Sequence, residues 1–202
     1  MKKLSTSKQM AINMVAAIVS FLIGTGINFV LAPYLVKELG SETYGFIGLA
    51  NNFVQYATIV TSALNSMSGR FISIEYSKGN IDKASRYFSS GLVADLIIAG
   101  VLLLVSSIIT FNIEFILNVP ENLVDSVKIL FALTFATFII SVITAIFTTA
   151  AFVKNKLYIN SLRDIASNTL KLLLVVILFS FFPAKVYFLA MASLASGIFL
   201  LL

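Results

Sequence analysis

The chain has 202 residues, of which 59% are hydrophobic and 11% charged, with a mean hydropathy of +1.00. That balance lies far from the roughly quarter-charged composition of soluble domains and excludes an ordinary aqueous fold. The absence of Cys and His excludes disulfides, thiolate nucleophiles and zinc or haem sites built on those ligands, and the net charge of +5 is split into short clusters between apolar runs, a topology pattern and not a nucleic-acid face.

Lys2, Lys3 and Lys8 precede the first apolar run, from Met10 to about Leu35. That run is too long for a signal-peptide core and has no small-residue cleavage site, so it reads as a retained signal anchor. At about 20 residues per crossing, further spans are expected over Tyr44–Met67, Phe88–Phe111, Ile129–Val153 and Asp164–Phe182. A sixth begins near Val186 and reaches Leu202 with no polar flank, which reads as the front part of a longer protein. The expected fold is therefore all-α: a polytopic membrane protein whose residues 1–202 form one bundle of about six transmembrane helices (10–35, 44–67, 88–111, 129–153, 164–182, 186–202), the last truncated.

Orientation follows from Lys and Arg in alternate connections, because cytoplasmic loops retain positive charge. One side holds Lys2, Lys3, Lys8, Arg70, Lys78, Lys83, Arg86, Lys154, Lys156, Arg163 and Lys171, eleven in all, and the other only Lys37, Lys128 and Lys185 among several Glu and Asp. A cytoplasmic N-terminus and an inner-membrane location are expected. The longest connection, Ser68–Tyr87, carries a Gly79-Asn80 turn signal, and no connection has room for an extramembrane catalytic domain. Function is therefore expected within the helices, with no enzyme activity and no cofactor.

On the second helix Asn51, Gln55, Thr58, Ser62 and Asn65 are spaced 4, 3, 4, 3 and share one helical face. The fourth repeats this with Thr134, Thr137, Ser141, Thr144 and Thr148, and the first has a thinner stripe of Asn13, Ser20, Gly24 and Asn28. Small and hydroxylated residues let membrane helices pack closely, which is the reading favoured for Gly24, Gly26 and the fourth-helix stripe. Amides need several partners each, so the second-helix stripe is read as the wall of a water-filled cavity. Asp95 and Lys171 are the charges at depth, each about 10 Å from the basic end by residue count. Intramembrane ionisable groups point to function. Against that stand snorkelling for Lys171 and a structural ion pair for Asp95.

The segment PYLVKELGSETYG, Pro33–Gly45, resembles the P-x-x-x-x-x-L-G-x-x-x-Y-G connection of the Wzx-like polysaccharide-repeat flippases, within the multidrug/oligosaccharidyl-lipid/polysaccharide exporter superfamily. In this reading Pro33 and Gly40 end one helix and Gly45 lets the next pack closely. SGRFISIEYSKGNIDKASRYF, Ser68–Phe88, resembles the cytoplasmic elbow of the same family. The resemblance spans about Asn13 to Phe88 in sequence and the remainder in hydropathy. It implies the N-terminal bundle of a two-bundle transporter that moves undecaprenyl-pyrophosphate-linked oligosaccharide across the cytoplasmic membrane by alternating access, with membrane lipids and the polysaccharide polymerase machinery as partners. Peptidoglycan-precursor flippases of the superfamily carry Arg in the first two helices; here those spans have none, which leaves the cationic role to Lys171, with Asn51, Gln55, Thr58, Ser62 and Asn65 as sugar-facing residues. Two alternatives stand beside this: a cation-coupled multidrug exporter using Asp95 as its ion site, and a fragment of a membrane glycosyltransferase or ligase.

Overall fold

In the computed structural model residues 6–199 are described, and they are helical apart from short connections. The helices are α1 (Thr6–Leu39), α2 (Ser41–Ser77), α3 (Ile81–Phe111), the single turn α4 (Ile113–Ile116), α5 (Val124–Val153), α6 (Leu157–Phe181) and α7 (Tyr187–Phe199), with a 3-10 turn at Glu121–Leu123. Lys2 and Lys3, and the end of the sixth expected span at Leu202, lie outside the described residues. Ser7–Leu39, Ile81–Phe111, Glu121–Val153 and Leu157–Phe181 are long and apolar enough to cross a membrane. The 37 residues of α2 also suffice in length, about 55 Å at 1.5 Å per residue, but its polar stripe dilutes its hydropathy; α7 has 13 described residues.

The connections are tighter than the sequence suggests. The 20-residue elbow expected from Ser68 to Tyr87 is helix on both sides of a three-residue turn, Lys78–Asn80, in which Gly79 takes φ +80°. Charged residues end a membrane span without ending a helix, so α2 and α3 continue past the bilayer. Lys78 and Asn80 hold the turn by donating to the Glu75 carboxylate at 3.0 and 2.9 Å. Pro33 likewise does not end α1, which runs through it to Leu39; the break falls at Gly40, whose φ of +81° an L side chain adopts only with strain.

α5 is the central element, packed against α2, α3 and α7, while α1 lies on α6 and α6 on α7. Val127, Leu130 and Phe131 of α5 are buried with Phe46, Ile47 and Ile113, and Phe53 meets Phe131 edge-on at 5.8 Å. Water gives no hydrophobic drive between helices in lipid, so close contacts rest on small residues and polar clamps. Gly91 lets α3 approach α5 until an added Cβ would sit 2.8 Å from Ile146 Cδ1, and Gly24 faces Asn168 across α1 and α6. Large side chains such as Phe29 and Phe111, 80% and 74% exposed, point outward as a lipid-facing surface requires.

The helices alternate in direction, and their charges separate accordingly. Lys8, Arg70, Lys78, Lys83, Arg86, Lys154 and Lys156 gather at one end, and Glu38, Glu42, Glu114, Glu121 and Asp125 at the other with Lys37, Lys128 and Lys185. At the basic end Asn13 of α1 clamps the α5–α6 turn: its amide donates to Asn155 Oδ1 at 2.8 Å and accepts from the Tyr158 backbone N–H at 3.1 Å. Asn13, expected as part of the first-helix stripe, is thus a structural clamp. At the acidic end Lys128 meets Glu114 at 2.8 Å.

Candidate functional site

The periodicities of α2 and α5 turn two polar stripes toward each other. Between them, flanked by α1, α6 and α7, lies a half-open cavity of about 600 Å³ whose polar walls include Asn28, Asn51, Thr134 and Lys171. These four occupy one level: each stands ten or eleven residues from the acidic end of its helix, about 15 Å along the axis. Tyr44, Thr58, Thr137, Ser141 and Ser193 complete the polar lining. Lys171 Nζ lies 3.5 Å from Asn28 Oδ1, so the ammonium is directed into the bundle at mid-depth, farther from the basic end than the residue count implied.

Two further cavities continue the track toward the basic end. One of about 840 Å³ is walled by Thr58, Ser62, Asn65, Arg70, Ser141 and Thr148. The other, about 510 Å³, lies between α5, α6 and α7 and includes Thr137, Thr144, Asn160, Arg163 and Asp164. Thr58 and Ser141 are shared by the first two and Ser141 by all three, so the α5 stripe, expected to be a packing face, is the common wall of the track.

The hydroxyls have a definite polarity. Thr58 donates to Val54 O at 2.8 Å, Ser62 to Ile59 O at 3.0 Å, Thr137 to Leu133 O at 2.8 Å and Ser141 to Phe138 O at 2.7 Å. With their protons used by the helix backbone, their oxygens remain as acceptors facing the cavity. The amides of Asn51 and Asn65 make no hydrogen bond to another described residue and offer both donors and acceptors. The site is therefore a hydrogen-bonding channel wall with one ammonium in its upper cavity, suited to a polyhydroxylated, anionic group.

Among the expected site residues, Lys171, Asn51, Thr58, Ser62 and Asn65 share this track. Gln55 does not: it is exposed on α2 outside the walls of all three cavities, whereas its apolar neighbour Val54 lines the upper one. Asp95 and Lys171 are not paired. Asp95 is buried in a crevice between α2 and α3, α3 makes no substantial contact with α6, and Asp95 lies sixteen residues from the acidic end of its helix against ten for Lys171. Both stand fourteen residues from the basic end of their helices, so that count places them level; what keeps them apart is that α3 and α6 do not pack together. The sequence reading also missed a polar stripe on α6, Asn160, Asp164, Ser167 or Asn168, and Lys171, whose 4, 3–4, 3–4 spacing was legible in the residues.

Fold and site together define a polytopic all-α membrane protein with a polar interior track. The chain is similar to the uncharacterized membrane protein EpsK of Bacillus subtilis (strain 168), with 33% identity over 187 residues. The match covers 93% of this chain and 37% of EpsK, so the chain spans less than two fifths of the length of that relative. No protein-family profile and no solved structure matches the chain.

Proposed function

We propose that this chain contributes one bundle of a Wzx-like flippase, which carries a pyrophosphate-linked oligosaccharide lipid across the cytoplasmic membrane, with its basic end in the cytoplasm. The observation that carries this reading is the level of Asn28, Asn51, Thr134 and Lys171: a half-buried ammonium set among amides and hydroxyls. A sugar leaving water needs acceptors and donors in its place, and a pyrophosphate needs a cation, whereas the lipid tail needs nothing beyond the bilayer. The basic residues at one end favour a cytoplasmic position there. Transport, with no bond made or broken, is the activity this wall supports.

The multidrug-exporter reading is less well supported. Its ion site, Asp95, stands outside the track, and the charged group lining the upper cavity is a lysine, which repels the cationic compounds such an exporter would carry. The test is transfer of a fluorescent lipid-pyrophosphate oligosaccharide between leaflets of proteoliposomes holding the complete transporter. Movement that tracks the presence of the protein and fails for a cationic dye supports the flippase; movement of the dye alone overturns it.

A further inference from the structure

Asp95 is left unused by that transport path, and its surroundings are unusual for a carboxylate. It is 3% exposed, and its Oδ2 has no hydrogen-bond partner among the described residues. The side chain lines a separate cavity of about 240 Å³ in the crevice between α2 and α3, where it is the charged group. Gly91, one turn below, shapes the crevice floor: an added Cβ would stand 2.8 Å from Ile146 Cδ1 and 3.6 Å from Ser68 Cβ. At the basic end the crevice is flanked by Phe71 and Tyr87, whose rings stack at 5.5 Å and are 46% and 43% exposed. The remaining walls are mainly aliphatic, with Leu64, Met67 and Ile98.

We propose that this crevice binds an organic ammonium group, with Asp95 as its counter-ion. An ionised carboxylate with no partner in a low-dielectric site costs several kcal/mol, so the group calls for a compensating charge. Protonation removes the charge but by itself brings Oδ2 no partner among the described residues. A hard metal ion requires about six oxygens, and beside Asp95 the crevice side chains offer the hydroxyls of Ser68, Tyr87 and Ser90, too few for one. An alkylammonium satisfies both kinds of wall: its charge meets Asp95, its carbon atoms meet Leu64, Met67 and Ile98, and the aromatic pair at the mouth attracts the cation on its way in. The volume suits a small or slender group and not a drug-sized molecule. Both an ethanolamine lipid headgroup and a free amine carry this chemistry.

Native mass spectrometry of the detergent-solubilised full chain with equal phosphatidylethanolamine and phosphatidylglycerol tests the lipid source. Thermal unfolding with n-hexylammonium against n-hexanol tests the free amine. The expected result is about a tenfold preference for the ammonium-bearing partner in at least one arm, lost in Asp95→Asn. Preference in the lipid arm identifies the headgroup, and preference only in the hexylammonium arm identifies a free amine. Should Asp95→Asn not fold, Tyr87→Leu provides the comparison, with a weakened preference expected. No preference in the wild type, or a preference equal in the variants, overturns the proposal.

Discussion

The Nζ of Lys171 lies 3.5 Å from Oδ1 of Asn28, across the contact between α6 and α1. A carboxamide at that distance steers the ammonium without neutralising it, and leaves its charge for a ligand. Asn28→Asp changes only that: the carboxylate captures Lys171 in a charge-assisted pair within the cavity and occupies the ammonium. The expected outcome is loss of most lipid-oligosaccharide transfer at normal protein abundance, measured in proteoliposomes, with partial recovery in Asn28→Ser. Undiminished transfer by Asn28→Asp would argue that the ammonium does not meet the substrate.

Asn13 should be a stability residue and not a transport residue. Replacing it by Ala leaves the Tyr158 N–H and the Asn155 side chain unpaired at the α5–α6 turn, where Asn155 holds a φ of +54°. The cost is about 1–3 kcal/mol, read as a lower unfolding temperature in detergent. Folded protein should keep its transport rate per molecule.

The approach of α3 to α5 at Gly91 is set by Ile146. Gly91→Ala places a methyl against the mobile end of the Ile146 side chain and should be tolerated, whereas Gly91→Leu should destabilise by roughly 1–3 kcal/mol. Ile146→Ala should return part of that loss, and additive effects in the double variant would mean the two do not meet.

Acid should loosen the α2–α3 turn. The hydrogen bond from Asn80 and then that from Lys78 hold the Glu75 carboxyl below the usual carboxylate range. A depressed folded-state value adds stability above the unfolded pKa, and that stability is lost as pH falls through the folded value. The difference in unfolding temperature between wild type and Glu75→Gln should therefore be present near neutrality and vanish in strong acid. A difference independent of pH would mean that the carboxylate charge is not what holds the turn.

The Cys-free background allows the track to be mapped by single cysteines. Those at Asn51, Val54, Thr58 and Ser62 should react with small water-soluble thiol reagents, and one at the lipid-facing Phe29 should not. With the basic end in the cytoplasm, cysteines at Glu42 and Asn122 should label from outside cells and one at Lys78 should not. Protection of all four track positions would favour helix packing over a wet cavity.

Hydropathy made the apolar helices readable, and the 3.6-residue period made the α2 stripe readable, because both are properties of one helix at a time. Relations between helices were not. Asp95 and Lys171 looked level and pairable, but their separation depends on α3 packing against α2 and α5 while α6 packs against α1 and α7. The elbow was read too long because loss of hydropathy after Ser68 marks the edge of the bilayer, whereas the helix itself ends only where Gly79 turns the backbone. Gln55 falls outside the cavity that Val54 lines for a similar reason: a stripe gives the direction of a face, and the neighbouring helices decide which edge of it the cavity touches.

In the proposed transport path the Lys171 ammonium binds the pyrophosphate of a lipid-linked substrate in the upper cavity. Retention of undecaprenyl pyrophosphate by the purified protein, measured by native mass spectrometry against undecaprenol, tests it most directly. Wild type should retain the pyrophosphate at least about tenfold better than Lys171→Gln, with Lys171→Arg between them. Equal retention by wild type and Lys171→Gln would contradict the account.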